Sequence, residues 1–360
     1  MPSKPRAPAS PHATHDAGAS FVKRVRTASL EDVAALAGVS AGTVSRTLSR
    51  PDMISEATRQ RVHEAAERIG YVPNGAARAM AMRRTLTIGA VIPRFGGSSF
   101  PTMVQALETT LAQQGYTLLL AAPDHHNPQS ETMVRTLLAR GVDALALLGS
   151  QHPRELFALL NKHGTPFVQL WTRDDTQGPC VGFDEHQAAA LVIDHLADLG
   201  HRRIGFIGGY TQNNERAQAR LFGLMRAIAR RGLMLQEDVT IETEYGFQQG
   251  FDAMERIRLR RSDVTAVVCG NDYLAGGALA ALDRAGVQVP AQLSVASFND
   301  NDFAPFLHPA LTTVHLPIRE IGEQGALLLL SRLQNLPQEP VPLLPVKLMV
   351  RQSTGTVQQA

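Results

Sequence analysis

The stretch Ser29–Leu48, SLEDVAALAGVSAGTVSRTL, decides how this chain is read. Ser29 followed by Asp32 is a capping pair that starts a first helix. Leu30, Val33, Ala34 and Ala37 recur at helical spacing and give it one apolar stripe. Gly38 breaks the helix, Val39 plugs the corner, and Ser40 caps a second helix that turns Val44 and Leu48 inward. Ala41, Gly42, Thr43, Ser45 and Arg46 are left on the outer face, near the end that enters a major groove in a helix-turn-helix.

The continuation strengthens that reading. Ser55 is expected to cap a third helix, Glu56 to Ile69, with Val62, Ala65, Ala66 and Ile69 on its buried side, and Gly70 ends it. Tyr71-Val72-Pro73 is extended, because a residue before proline avoids helical geometry. Asn74 then opens a very short helical segment, Gly75 to Met82. AGVSAGTVSR (Ala37–Arg46), SEATRQRV (Ser55–Val62) and YVPNGAARAM (Tyr71–Met80) resemble, in this order and spacing, the lactose-repressor (LacI) family of bacterial transcription regulators. The resemblance extends over roughly Ser29 to Gln352.

At 360 residues the chain exceeds one typical domain. Residues 1–85 hold 13 Lys plus Arg against 7 Asp plus Glu, whereas the remainder holds 22 against 26. A basic module on an acidic body suits phosphate contact at one end, although an asymmetry of this size also arises by chance. Cys180 and Cys269 cannot form a disulfide framework, have no zinc-site spacing, and are expected as buried reduced thiols. No apolar stretch reaches membrane-spanning length and no signal-peptide core opens the chain, so a cytoplasmic protein is expected. Residues 1–28, rich in Pro, Ala, Ser and His, read as a disordered tail.

From Thr87 onward strand-like runs alternate with helical stretches. The strand candidates are LTIGAVI (Leu86–Ile92), YTLLLAA (Tyr116–Ala122), ALALL (Ala144–Leu148), PFVQL (Pro166–Leu170), RIGFIG (Arg203–Gly208), TAVVCG (Thr265–Gly270) and LSVASF (Leu293–Phe298). Gly115, Gly141, Gly164, Gly200, Gly232 and Gly286 stand where helices end. This alternation predicts parallel sheets covered on both faces. No dinucleotide, phosphate-loop, HExxH or G-x-S-x-G motif is present, so no enzyme, cofactor or metal is expected.

The resemblance implies an N-terminal all-α helix-turn-helix module (29–73), a hinge helix and linker (74–85) and a two-lobed α/β domain like a periplasmic binding protein (86–357), whose cleft binds a small-molecule effector. The chain would cross between lobes near Phe183-Asp184, Thr313–Leu316 and Pro342–Lys347. The N-lobe would comprise 86–184 plus 316–343, and the C-lobe 185–315 plus 344–357. Asn271-Asp272 follow a strand end, where open α/β sheets bind ligands. CGNDYLAGGAL (Cys269–Leu279) matches the family's effector-binding aspartate, and a carboxylate accepts hydrogen bonds from sugar hydroxyls. The alternative is that Asp272 caps the next helix. Arg220 in ARLFG matches a cleft arginine whose fork could grip a carboxylate or two hydroxyls, or it is a surface arginine. Asn214 and Arg216 are placed in the loop before that helix. Phe100, Phe183 and Tyr245 would form apolar walls unless they are core, and Trp171 belongs either to the cleft or to the core. Arg94, with Arg216 and Arg220, hints at an anionic effector such as a sugar acid or sugar phosphate.

By the same resemblance Ser29, Ser40, Thr43, Ser55 and Thr58 would touch phosphates, and Ala41, Gly42 and Arg46 would face base edges. Ala41 and Gly42 depart from relatives that carry larger polar residues there, which throws specificity onto Arg46, Thr43 and the hinge. Gly75–Met82 is too short to be a stable isolated helix. In the family such hinges pair in the minor groove, with Met80 here in place of the usual intercalating leucine and Asn74, Ala77 and Arg78 beside it; a loose linker is the alternative. The expected partners are a palindromic operator in double-stranded DNA, a second copy of the chain and a sugar-like effector. The chain end carries no leucine heptad, so a dimer is expected. A repressor of carbohydrate or sugar-acid catabolism leads, ahead of a solute-binding protein or an α/β enzyme acting on a sugar.

Overall fold

The computed structural model describes residues 28–82, 84–93, 99–122, 130–260, 263–337 and 341–357. The tail expected over 1–28 lies almost wholly outside these residues, as does Arg94. The chain divides after Met82 into two compact units.

The first unit contains α1 (Leu30–Ala37), α2 (Ala41–Ser49), α3 (Glu56–Arg68) and α4 (Gly75–Met82). Ser29 and Asp32 form a full capping box: the Asp32 amide donates to Ser29 Oγ at 3.2 Å, and the Ser29 amide donates to Asp32 Oδ2 at 2.9 Å. Two of the donors that the helix start leaves open are thereby satisfied. Gly38 takes φ +66°, a left-handed geometry in which a side chain would be strained, and the turn between α1 and α2 depends on it. Val33, Val44 and Val62, all fully buried, bring the three helices onto one core with Ala34, Ala37, Ala65 and Ala66. Ile69, expected within α3, is the residue that terminates it.

The second unit is built on two sheets. The first has the order β2-β1-β3-β4-β5 and is parallel throughout: β1 (Thr87–Val91), β2 (Thr117–Ala121), β3 (Ala144–Leu148), β4 (Phe167–Leu170) and β5 (Cys180–Val181). Helices α5 (Phe100–Ala112), α6 (Ser130–Ala139) and α7 (Arg154–His163) connect its strands. The second sheet holds β6 (Arg203–Gly209), β7 (Met234–Thr243), β8 (Ala266–Cys269), β9 (Ser294–Asn299), β10 (Thr312–His315) and β11 (Lys347–Met349), in the order β11-β10-β9-β8-β6-β7. Only β11 runs antiparallel. Its helices are α8 (Glu185–Asp198), α9 (Glu215–Arg230), α10 (Phe247–Arg260) and α11 (Asp272–Arg284). The chain then returns to the first sheet as α12 (Ile318–Leu333), which lies so close to α5 that a Cβ at Gly322 would strike the backbone of Met103 and Leu107.

In each sheet the strand order reverses once, between β1 and β3 and between β6 and β8. Loops diverge at such points and open a crevice beyond the strand ends. Cys269 is fully buried, and burial pushes its thiol up; Cys180, expected to be buried, is only half-buried because β5 is a two-residue edge strand. Among the described residues no helix is long and apolar enough to cross a membrane.

Helices α10 and α11 meet through reciprocal glycines. A Cβ at Gly277 would collide with the Phe247 carbonyl and Phe251 amide, and one at Gly250 with the Leu274 carbonyl. Backbone cannot yield as a side-chain tip can, so overpacking here separates the pair. Gly277→Ala is expected to lower the unfolding free energy by about 1–3 kcal/mol, read from the urea midpoint.

Candidate functional site

On the first unit, the start of α2 carries the groups with the chemistry to read DNA. Ser40 caps α2: its Oγ accepts from the Thr43 amide at 3.1 Å and lies 2.9 Å from Thr43 Oγ1. Gly42, Ser45 and Arg46 are exposed, whereas Ala41 is half-buried against the core and is only partly available on that face. Arg46 folds back to donate from Nε to the Gly42 carbonyl at 3.1 Å. Thr47, missed in the sequence, is buried and donates to the Thr43 carbonyl at 2.9 Å. Ser55 makes no cap bond to α3; its hydroxyl donates instead to Thr58 Oγ1 at 3.0 Å. Asn74 accepts from the Ala76 amide at 2.9 Å at the start of α4. Ala77, Arg78 and Met80 are exposed, Met80 at 84%, an apolar side chain that this unit leaves unpacked.

In the second unit the end of β8 and the residue after β4 meet around a buried ion pair. Arg220, on α9, donates from Nε to Glu185 Oε2 at 3.0 Å, from Nη2 to Glu185 Oε1 at 2.8 Å, and from Nη1 to the Gly270 carbonyl at the end of β8. Both side chains are nine-tenths buried, so Arg220 is no surface arginine, and its fork closes on a carboxylate of its own chain. Burial opposes the Arg220 charge, but Glu185, Tyr245 and Asp272 more than offset it, and its pKa rises. Glu185 also accepts from the Trp171 indole at 3.3 Å. Trp171 sits at φ +63°, a conformation rare for so large a side chain and a common mark of functional sites. Its ring packs edge-on against Phe100 at 5.5 Å and Phe183 at 5.8 Å. Phe100, Phe183 and Trp171 therefore form one aromatic wall, all of them buried.

Arg216 lies within α9 and not in the loop before it, with its guanidinium 5.7 Å from the Phe100 ring centre. Burial lowers its pKa, against the attraction of neighbouring Glu215. Asn214 caps α9, accepting from the Ala217 amide at 3.3 Å, and Asn271 caps α11, accepting from the Leu274 amide at 3.0 Å. The capping alternative raised for Asp272 thus belongs to its neighbour. Tyr245 covers Gly209, where a Cβ would strike its ring, and burial raises its phenol pKa.

Asp272 is fully buried and accepts four bonds: from the Ser297 hydroxyl, from Thr313 Oγ1 at 2.7 Å, and from the Asn301 amide at 2.6 Å and side chain at 3.0 Å. Burial nonetheless raises its pKa to about 6, the four donors opposing. Asn301 and Asn299 reach Ser99 at the start of α5, at 2.8 and 2.9 Å, so a second polar bridge joins the lobes. Asn299 Oδ1 is buried without a hydrogen-bond partner, an acceptor open to a ligand donor.

A module that presents an exposed recognition helix, followed by a two-lobed α/β body with polar groups at both strand reversals, is the architecture of a DNA-binding regulator with a ligand-sensing domain. The family model for bacterial regulatory proteins of the lacI family matches residues 29–74, and the periplasmic binding protein-like domain matches 193–354. The chain is 33% identical over 313 residues to the HTH-type transcriptional repressor CytR of Escherichia coli strain K12, covering 87% of this chain and 92% of that one. Among solved structures it is similar to the transcription regulator GntR from Chromobacterium violaceum (32% identity, TM-score 0.70, 74% of this chain and 99% of that one). It is also similar to the lac repressor dimer bound to operator and an anti-inducer (27% identity, TM-score 0.80, 92% and 100%). The chain belongs to the lacI family of bacterial regulatory proteins and is a DNA-binding transcriptional regulator.

Because the fold holds the Asp272 carboxyl above its ordinary value, the protonated form contributes stability that is lost as pH rises toward about 6. The wild-type unfolding free energy is expected to fall between about pH 4 and pH 6, relative to Asp272→Asn, by up to about 3 kcal/mol. Urea unfolding across pH measures this difference; parallel profiles would contradict it.

Proposed function

We propose that this regulator is a repressor of carbohydrate or sugar-acid catabolic genes that binds a palindromic operator as a homodimer in the cytoplasm. The observation that carries the proposal is the outward face of α2, where Gly42, Ser45 and Arg46 stand exposed on a helix whose core side is fully packed. Ser29, Ser40, Thr43, Ser55 and Thr58 place hydroxyls for phosphates, and Arg46 is the side chain able to hold a guanine edge. Half-buried Ala41 and side-chain-less Gly42 leave base reading mainly to Arg46 and the hinge. Asn74, Ala77, Arg78 and Met80 serve the minor groove, Met80 as an apolar wedge.

The effector sits between the lobes, against the aromatic wall of Phe100, Trp171 and Phe183 with Tyr245 opposite. Asp272 and Asn299 supply the polar surface, Arg220 holds the wall in place through its pairing with Glu185, and Asn214 and Asn271 act by capping the helices that carry these groups. Effector and operator are coupled through lobe closure and the hinge, typically by about 1–3 kcal/mol. A solute-binding protein or a sugar-acting enzyme has no need of the exposed α2 face, so each is the lesser reading.

Fluorescence anisotropy on palindromic duplexes from the gene's own upstream region, across a salt series, tests it. Wild-type protein is expected to bind one duplex selectively, Arg46→Ala to lose about 1–3 kcal/mol, and a chain lacking residues 1–82 to lose operator binding altogether. Equal, salt-erased binding of every duplex would overturn the proposal.

A further inference from the structure

The loop leaving β3 points three donors at one place. The Ser150 amide donates to Glu215 Oε1, while the Ser150 hydroxyl at 2.8 Å and the Gln151 amide at 2.7 Å donate to Glu215 Oε2. Successive amides with an adjacent hydroxyl make an anion-binding concavity, and here they divide between two oxygens as a planar carboxylate requires. Gly149 leads into the loop at φ +82°, and a Cβ there would collide with that carboxylate. Arg216 Nη1, 4.0 Å from Glu215 Oε1, adds positive charge. His152, next along the loop, has a buried Nε2 with no hydrogen-bond partner; burial lowers its pKa, and Glu215 pulls the other way.

The donors stand at the strand reversal of the first sheet, where open α/β sheets take ligands. The carboxylate that fills them comes from the other lobe, from the first residue of α9. With Glu215 in place the cleft sets Glu185, Glu215 and Asp272 against Arg216 and Arg220, so among these described residues a further anion meets no surplus of positive charge. With Glu215 swung aside, the three donors and Arg216 are all released together.

We propose that the Gly149–Gln151 loop is a carboxylate-binding site and that Glu215 is its built-in occupant, closing the lobes until a carboxylate-bearing effector displaces it. This rests on the reading of the cleft as the effector site. An uncharged sugar would leave the latch shut, so the site selects sugar acids over neutral sugars.

Chemical rescue of the full-length chain tests the site with acetate as probe. Glu215→Ala empties the loop, whereas Glu215→Gln fills its space with one acceptor oxygen where the donors meet two. Sodium acetate, against sodium chloride at equal ionic strength, is expected to raise the thermal midpoint of Glu215→Ala by about 2–4 °C, with Glu215→Gln raised by less and wild type unmoved. It is also expected to shift the emission of Trp171, the only tryptophan, in Glu215→Ala alone. Should Glu215→Ala not fold, Glu215→Ser takes its place. Acetate acting equally on all variants, or on none, overturns the proposal. Operator binding by the same proteins keeps the two readings apart: loss of rescue with operator binding intact removes only the carboxylate site, whereas a wild type that binds no operator removes the regulator reading.

Discussion

The second unit depends on the ion pair between Arg220 and Glu185. Two charges this deeply buried are stable only if every strong donor and acceptor finds a partner, and removing one side strands the other. Here Glu185 takes two bonds from Arg220 and one from Trp171, while Arg220 gives a third to the Gly270 carbonyl and lies 4.7 Å over the Phe298 ring. Those contacts bind the end of β4 in one lobe to α8, α9 and β8 in the other. They also fix the tilt of Trp171 and so the aromatic wall. The pair is therefore a positioning element first, and its charges are largely spent inside the chain.

Thr85 and Leu86, at the entry to β1, both donate backbone amides to the Asp143 carboxylate at 2.9 Å, and the Thr85 hydroxyl donates to the Gly141 carbonyl at 2.7 Å. Arg84 donates to the Leu333 carbonyl at the end of α12 at 3.0 Å. The backbone that enters the second unit is thus tied to the start of β3 and the end of α12. An eight-residue helix such as α4 is marginal alone.

Local signals were legible in the sequence: the capping box at Ser29, the turn at Gly38, and all seven strand candidates recur as strands, since each follows from short-range geometry. What the sequence hid is pairing at a distance. Glu185 and Glu215 look like ordinary acids in the first turn of a helix, and only the fold brings them to Arg220 and Ser150. Ser99, Asn299 and Asn301 gave no signal for the same reason. Asn214 and Asn271 read as ligand groups because a polar residue at a strand end and a helix cap have the same local pattern. Strand β7 went unseen because its run is broken by polar residues and, among its described side chains, Val239 and Ile241 alone turn fully inward.

A double-mutant cycle on Arg220 and Glu185, read by urea unfolding of the full chain, tests the central claim most directly. Arg220→Ala and Glu185→Ala are each expected to lose about 3–5 kcal/mol, and the double variant to lose at least about 2 kcal/mol less than their sum. Additive losses would show that the two side chains act independently and that the cleft is not organised around their pairing.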